Sequence, residues 1–251
     1  MDTAEEQNKW IRAGERLDDL HCNGWKILQR PDGFCFGMDA VLLAAFAAEK
    51  IAAKAVDLGT GTGVIPLLVS SRLPNVQFDA VEIQTEIADM AQRTMKQCGM
   101  TQRIAVHAMD LRDAPARLGR EKYDLVVCNP PYGKAGASLI NPLEERRTAR
   151  HEGDAGIREI ADTAFQLLRN GGRLCVVFPV QRFIELIDAL RAVKIEPKRV
   201  QFIHPSAAKA PNLLLLEGMK AAKPGLHFMP PLIVQDAEGN ETAQLRSMYR
   251  E

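Results

Sequence analysis

A glycine-rich turn at residues 57–63 has the composition of a ligand-binding loop. It reads Asp-Leu-Gly-Thr-Gly-Thr-Gly and joins a short apolar run to a segment with helical periodicity. Glycines let the backbone approach a ligand closely and adopt positive φ, and the N-terminus of the next helix presents free N–H groups. In an open α/β sheet, a turn at the carboxyl end of a strand lies in a ligand crevice. Gly59 and Gly61 are therefore predicted to bind a ligand.

Three acidic residues indicate which ligand the turn binds. Asp57, two residues before the first glycine, would repel a pyrophosphate but attract an ammonium group or a ribose hydroxyl. Glu82 ends the next apolar run and can accept both hydroxyls of a ribose, and Asp110 follows a third run and can accept a hydrogen bond from an adenine amino group. The set favours S-adenosylmethionine, although Asp110 alone can also be explained as a loop cap. A nicotinamide dinucleotide is disfavoured because GxGxxG requires a glycine at position 64, where this chain has valine.

A second motif, Asn129-Pro130-Pro131-Tyr132, directly follows an apolar run at 123–128. The prolines fix φ and stiffen the loop, while each keeps its carbonyl as an acceptor. The Asn129 side-chain oxygen and the Pro130 carbonyl can then converge on one NH₂ group, and Tyr132 can offer a stacking face. Two such acceptors hold the hydrogens of a weakly nucleophilic amino group, so that its nitrogen lone pair is directed in line at a sulfonium methyl. This chemistry depends on positioning and needs no general base. The alternative is a rigid turn without chemistry.

The elements that must position these motifs alternate along the chain. Strands are predicted at 55–58, 78–82, 104–107, 123–128, 173–178, 200–203 and 213–219, and helices at 39–50, 63–73, 85–98, 156–170 and 181–193. Such alternation predicts right-handed βαβ units and a mainly parallel sheet. No long helix separates the last two strands, so the final strand is predicted to be antiparallel. Asp39 is the expected N-cap of the first helix.

The chain is expected to divide into three parts. Residues 1–54 form an N-terminal extension that covers the cofactor site, with short strands and turns at 21–37. Residues 55–223 form the sheet domain. Residues 224–251 form a Pro-rich tail packed on that domain, with one candidate strand at 232–235.

Composition excludes several classes of protein. The 251 residues carry 32 Lys+Arg and 32 Asp+Glu, which argues against a strongly cationic, non-specific nucleic-acid binder. The sequence has no apolar stretch that is long enough to predict a membrane span. The charged N-terminus is not typical of a signal peptide. Five cysteines without a CxxC pattern are typical of buried thiols in a reducing cytoplasm, and no metal site is expected.

The two motifs together resemble those of class I S-adenosylmethionine-dependent methyltransferases that act on amino nitrogens. The resemblance implies a seven-stranded, Rossmann-like α/β sheet with a short N-terminal hairpin and helix, and S-adenosylmethionine as the cofactor. It implies cofactor-binding roles for Asp57, Gly59, Gly61, Glu82 and Asp110. It implies catalytic roles towards the substrate for Asn129, Pro130 and Tyr132.

A further stretch is similar to the bacterial family of tRNA-Val adenine-N6 methyltransferases. Residues 34–43, Phe-Cys-Phe-Gly-Met-Asp-Ala-Val-Leu-Leu, resemble its FxFGTDAxLLA signature. Met38 replaces the usual threonine, so no hydroxyl contact is expected there, whereas a cofactor-binding role is still implied for Asp39. The family implies a cytoplasmic enzyme that methylates the adenine beside the anticodon of a valine tRNA, with no obligatory protein partner.

Three alternatives stay open. Guanine-N2 methyltransferases of ribosomal RNA also use an Asn-Pro-Pro motif, although some have a duplicated domain that this chain lacks. Glutamine-N5 methyltransferases of release factors usually carry a larger helical N-terminal domain, whereas only 54 residues precede the first predicted strand here. The third alternative is a catalytically inactive RNA-binding module, which the intact motifs disfavour.

Basic residues suggest where RNA could bind. Residues 161–251 contain 12 Lys+Arg and 9 Asp+Glu, so the C-terminal third is mildly basic. Arg146, Arg147 and Arg150 follow the Asn-Pro-Pro-Tyr motif and are candidates for substrate contact, as are Lys198 and Arg199. Further candidates for phosphate contact are Arg182, Arg191, Lys194, Lys209, Lys220 and Lys223. The alternative is that these are solvated charges.

Overall fold

One mostly parallel sheet organises the chain. The computed structural model describes residues 9–31, 35–130 and 156–249. Its strands are β1 (Arg16–Asp19), β2 (Lys26–Gln29), β3 (Lys54–Leu58), β4 (Gln77–Glu82), β5 (Ile104–Ala108), β6 (Tyr123–Cys128), β7 (Leu168–Pro179), β8 (Ile195–Ser206), β9 (Leu213–Lys220), β10 (His227–Phe228) and β11 (Leu232–Gln235). Its helices are α1 (Met38–Ala48), α2 (Val64–Arg72), α3 (Thr85–Gln97), α4 (Ala114–Leu118), α5 (Ile157–Leu167), α6 (Phe183–Ala192) and α7 (Ala243–Tyr249).

The strand order confirms the α/β prediction and extends it. The main sheet runs β10-β8-β9-β7-β6-β3-β4-β5, and β11 also pairs with β8. The seven expected strands are neighbours in this order, from β8 to β5, and β9 is antiparallel to both β7 and β8, as predicted. Two short strands from the tail, β10 and β11, run parallel to β8 and widen the described sheet to nine strands.

The order of the strands creates a switch point in the middle of the sheet. From β3 the chain moves outward through β4 and β5, then returns to the other side of β3 as β6. Asp57 of β3 is in register with Val127 of β6. The two loops that follow these strands therefore begin side by side, which is where open α/β sheets bind ligands.

Both faces of the sheet are covered by helices, as the near-continuous apolar strands require. Buried side chains of α1, α2 and α3, such as Phe46, Leu67 and Met95, pack on one face. Those of α5 and α6, such as Ile160 and Leu190, pack on the other face. Each such side chain contributes about 1.5–3 kcal/mol on burial, so burial of the apolar residues of the helices holds them against the sheet.

The N-terminal hairpin lies earlier than expected and packs on α3. Strands β1 and β2 pair antiparallel, with Arg16 opposite Gln29. Arg93 of α3 donates to both carboxylate oxygens of Glu15, at 2.6 and 2.7 Å. This ion pair keeps the pKa of Glu15 below its usual range. The hairpin is therefore tied to the helix that follows β4, and its role as a cover over the cofactor site stays a prediction.

Candidate active site

The three glycines of the turn have different structural roles. Gly59, Gly61 and Gly63 all have positive φ, at 77°, 57° and 90°. A Cβ at Gly59 or Gly61 would point into open space, whereas a Cβ at Gly63 would collide with the Met95 side chain of α3. The first two glycines thus leave an open cradle beside the backbone, and the third allows close packing of the helices.

Asp57 lies beneath this cradle and is fully buried. Neither of its carboxylate oxygens has a well-formed hydrogen bond with any described residue. Burial raises the pKa of Asp57 to about 7; the charge of Glu82 acts in the same direction, and the Thr60 side chain opposes it. A buried carboxylate without a cationic partner is costly, so this position suits a ligand that carries an ammonium group.

Glu82 connects the glycine turn to the next loop. Its Oε2 atom accepts a hydrogen bond from the Gly61 amide at 2.9 Å, and its Oε1 atom accepts one from the Gln84 amide at 3.0 Å. A carboxylate has about four lone-pair sites, so these bonds leave capacity for ribose hydroxyls. The residue therefore shapes the cradle and can also contact a nucleoside.

Asp110 has a partner that the sequence interpretation missed. The residue caps the 3₁₀ turn Leu111–Asp113 by accepting a hydrogen bond from the Arg112 amide at 2.9 Å. The Arg112 guanidinium also holds both carboxylate oxygens, with Nε at 3.0 Å from each, and lowers the pKa of Asp110. Asp110 thus acts as a loop cap in this structure. An adenine amino group would have to share the Asp110 carboxylate with Arg112 or displace the Arg112 guanidinium from it.

Asn129 and Pro130 follow β6 at the switch point, where Asn129 is half-buried and Pro130 is buried. The preceding residue, Cys128, donates a hydrogen bond from its thiol to the carbonyl oxygen of Leu58 at 3.1 Å. This bond connects the end of β6 to the start of the glycine turn. Its partner in space is distant in sequence, which is why no sequence signal pointed to Cys128. Tyr132 lies outside the described residues, as do Arg146, Arg147 and Arg150.

Asp39 lies in the first turn of α1 and does not cap the helix, because Gly37 occupies the N-cap position. Burial raises the pKa of this half-buried carboxyl. Carbonyls at the far end of α1 accept hydrogen bonds from Arg173, near the amino end of β7. Asp39 is therefore at the end of the helix that points towards the carboxyl edge of the sheet. Met38 packs on the apolar core, which accounts for a residue without a hydroxyl.

The expected contact between Arg199 and RNA is wrong, because the surroundings of this residue lie inside the fold. The Arg199 side chain is buried. Its Nη2 atom lies 3.1 Å from the Glu217 carboxylate and donates a hydrogen bond to the Phe46 carbonyl at 2.9 Å. Its Nη1 atom pairs with the Glu49 carboxylate. These partners are the C-terminal end of α1 and the core of the sheet, so Arg199 stabilises the fold and does not face RNA. Lys198 points elsewhere, with its Nζ atom donating to the Lys223 carbonyl at 3.2 Å.

Within the described part of the chain, no cluster of His, Cys, Asp or Glu side chains is arranged to hold a metal ion. Among the same residues, no helix has both the length and the apolar character that crossing a membrane requires. The five cysteines, all of which lie in the described residues, form no disulfide.

Comparisons with known proteins agree with this geometry. A model of the methyltransferase small domain matches residues 36–196. The chain is 30% identical over 211 residues to a tRNA1(Val) (adenine(37)-N6)-methyltransferase from Porphyromonas gingivalis, covering 81% of this chain and 82% of the relative. It is 32% identical over 181 residues to a protein of the same name from Tolumonas auensis, covering 72% and 74%.

Solved structures share the fold. A protein described as an O-methyltransferase from Agrobacterium tumefaciens superposes with a TM-score of 0.69 at 24% identity, covering 84% of this chain and 95% of that chain. A class I S-adenosylmethionine-dependent methyltransferase from Listeria monocytogenes gives 0.59 at 16% identity, covering 89% and 73%.

The matched range contains the glycine turn, the acidic residues of the cradle and the Asn-Pro-Pro-Tyr motif. The chain therefore belongs to the methyltransferase small domain family.

Proposed function

We propose that this protein transfers a methyl group from S-adenosylmethionine to the N6 nitrogen of an adenine in tRNA, in the anticodon loop of a valine tRNA. The observation that carries the proposal is the switch point, where the cradle after β3 and the Asn129-Pro130 pair after β6 begin side by side. The names of the two relatives support the choice of tRNA and of adenine N6. A tRNA substrate also agrees with a cytoplasmic enzyme, and the proposal needs no protein partner.

The residues of the cradle fit this cofactor. Asp57 supplies a buried negative charge for the α-ammonium group, Glu82 accepts the ribose hydroxyls, and Asp110 accepts the adenine amino group. Gly59 and Gly61 leave open space in which the backbone meets the nucleoside. Asp39 approaches from the N-terminal end of α1 and adds a further carboxylate near this edge of the sheet.

The substrate side works by positioning. When bound, the cofactor supplies a methyl group made electrophilic by its sulfonium. The Asn129 side-chain oxygen and the Pro130 carbonyl accept the two hydrogens of the adenine amino group, which directs the nitrogen lone pair at that methyl. Tyr132 provides a stacking face for the base. The nitrogen would form its bond to the methyl carbon as the sulfur–methyl bond breaks, and its surplus proton would pass to solvent. No general base is required for the attack, because rate enhancement comes from orientation and fixed dipoles.

An anticodon-loop base suits such a site, because a loop nucleotide has little pairing to lose when it is turned into a pocket. Arg146, Arg147 and Arg150 follow the motif in sequence and are proposed to contact the RNA backbone around the target base. Charge reversal at Arg146 and Arg147 together is expected to weaken tRNA binding and to flatten its salt dependence.

The test uses S-adenosylmethionine carrying a tritiated methyl group. The protein is incubated separately with unmodified tRNA, ribosomal RNA and release factor, and each labelled product is digested to identify the modified unit. We expect label in tRNA, recovered as N6-methyladenosine. Label recovered as N2-methylguanosine in ribosomal RNA, or as methylglutamine in release factor, would contradict the proposed substrate. An absence of label in all three pools, with the cofactor still bound, would contradict the proposed activity.

A further inference from the structure

Three phenylalanine rings form a continuous ladder on the outer part of the sheet. Phe183 meets Phe202 edge to face, with ring centroids 5.8 Å apart and planes at 74°. Phe202 stacks on Phe228 with centroids 6.4 Å apart and planes at 19°. Phe228, at the end of the ladder, leaves 60% of its surface exposed. The ladder thus ends in a large aromatic ring that is held in place by stacking and is open to solvent.

The ladder starts just after the carboxyl end of β7, the strand next to β6. Phe183 is the first residue of α6 and follows the 3₁₀ turn at the carboxyl end of β7. Strand β7 pairs with β6, and Asn129 directly follows β6. Phe202 belongs to β8 and Phe228 to β10, at the edge of the described sheet. Four strand spacings of about 4.8 Å separate β6 from β10, a span of roughly 19 Å. A single folded RNA molecule is large enough to reach both places.

Lys198 and Lys223 supply positive charge at the segment that leads into Phe228. The Lys198 amino group lies against residues 223–225, directly before β10, and donates to the Lys223 carbonyl at 3.2 Å. Lys223 and His227 are exposed next to Phe228 in sequence. The surface thus combines one exposed ring with positive charge, which complements a base and its phosphates.

We propose that this surface, formed by Phe228 with Lys198 and Lys223, is a second contact site for the tRNA substrate. It stacks an unpaired base on the Phe228 ring and holds the adjacent phosphates with the two lysines. An unpaired base is required because a ring can stack only on a free base face, and aromatic platforms with basic surroundings bind single-stranded RNA in this way. The inference rests on the proposed function and adds a site that is separate from the target-base pocket.

The test compares wild-type protein with Phe228→Leu and Phe228→Trp, using a full-length unmodified tRNA transcript. Leucine keeps an apolar side chain but has no ring face, whereas tryptophan keeps the platform. Ile51→Ala is the matched control, since Ile51 is 90% exposed in the loop between α1 and β3, away from the ladder. Filter binding gives the tRNA affinity, steady-state methylation gives kcat and KM, and calorimetry gives the cofactor affinity.

Phe228→Leu is expected to lower tRNA affinity about five- to 100-fold, the range observed when a stacked base loses its platform. The KM for tRNA should rise by a similar factor, with kcat and cofactor affinity unchanged. Phe228→Trp and Ile51→Ala should remain within about twofold of wild type. Replacing Lys198 and Lys223 with glutamine should lower the slope of log affinity against log salt by about 1.4, since each single-strand phosphate contact contributes about 0.7.

An affinity for tRNA within twofold of wild type in Phe228→Leu would overturn the inference. If that variant also changed the sedimentation behaviour of the protein, the ladder would be a contact between proteins, which overturns the inference as well. Failure of the proposed function has a different signature, because wild-type protein would then not methylate tRNA at all. Binding is measured independently of methylation, so the affinity comparison still decides the role of the ladder in that case.

Discussion

Cys128 and Leu58 are the last residues of the neighbouring strands β6 and β3, and the Cys128 thiol donates a hydrogen bond to the Leu58 carbonyl at 3.1 Å. The bond crosses the switch point and helps to set the distance between the glycine turn and Asn129. Burial and the nearby Asp57 carboxylate raise the pKa of this thiol well above its usual value. The thiol therefore stays protonated and remains a donor throughout the neutral range.

Replacing Cys128 with valine removes this donor and keeps a side chain of similar size. We expect kcat to fall about three- to tenfold, because a lost hydrogen bond costs about 1 kcal/mol and catalysis by positioning tolerates little displacement. Cys128→Ser retains a donor and should lie closer to wild type. Single-turnover methylation measures the effect. A valine variant as fast as wild type would show that the bond has no part in positioning.

Cofactor affinity is expected to depend on pH through Asp57. Its pKa is raised to about 7 in the absence of a ligand, and the cofactor ammonium group requires the ionised carboxylate. Affinity should therefore increase up to about pH 8 and should fall about tenfold for each pH unit well below 7. Calorimetry between pH 5.5 and 8.5 in buffers of different ionisation enthalpy measures both affinity and proton release. A flat profile would contradict the pairing of Asp57 with the ammonium group.

Asp57 should also make the free energy of unfolding of the ligand-free protein depend on pH, but this free energy should fall as pH rises, whereas cofactor affinity should rise. Because the pKa of Asp57 is higher in the fold than its ordinary value of 3.8, its ionised form destabilises the ligand-free protein, and the cost grows as pH rises to about 7. Asp57→Asn is expected to stabilise the ligand-free protein by up to about 4 kcal/mol at pH 8 and by less than half of that at pH 5. Urea unfolding at the two pH values measures this difference, and an equal or negative change at pH 8 would contradict it.

Asn129→Ala should abolish methyl transfer and leave cofactor binding intact. The side-chain oxygen of Asn129 is proposed to hold a hydrogen of the substrate amino group, and no contact with the cofactor is proposed for it. Asn170→Ala is a matched control, because Asn170 is exposed at the start of β7, at the opposite edge of the sheet. Turnover of the Asn129 variant near that of wild type would refute the proposed mechanism.

Arg112 is expected to compete with the cofactor for Asp110. Its guanidinium engages both oxygens of that carboxylate and lies 3.6 Å from Glu159 of α5. Arg112→Gln frees Asp110 for the adenine amino group and should raise cofactor affinity about two- to fivefold. Arg117→Gln, on the exposed side of α4, is the control. A weaker cofactor affinity in Arg112→Gln would mean that Arg112 supports the bound adenine.

Much of the fold and the cradle could be predicted because their signals are local. The apolar runs that become β3, β4 and β6 and the glycine turn are contiguous in sequence, so a mainly parallel sheet with a ligand-binding turn follows from connectivity rules. The helix predicted at 156–170 ends at Leu167, since residues 168–172 already belong to β7. Hairpin position and helix caps were less predictable, because tertiary contacts such as Arg93 with Glu15 decide them.

The residues that sequence analysis misassigned or missed depend on which side of a strand they occupy. Lys198 and Arg199 are adjacent cations, but the pairing of β8 with β9 is irregular between Pro197 and Arg199, so the direction of each side chain depends on the register there. Arg199 is consequently buried against Phe46 and Glu217, whereas Lys198 lies beside residues 223–225. The positive charges of Lys198 and Arg199 alone cannot show which of the two side chains is buried, because that depends on the register of β8.

The short tail strands have a consequence for solubility. β8 spans 12 residues and lies near the edge of the sheet, where β10 and β11 pair with it at Arg199–Val200 and at Ile203–Ser206. Without the tail, β8 would present a long row of unpaired backbone groups, the arrangement that templates strand addition between molecules. Strands β10 and β11 therefore protect this edge of β8 from strand addition, and versions of this enzyme that lack the two strands are expected to aggregate more readily.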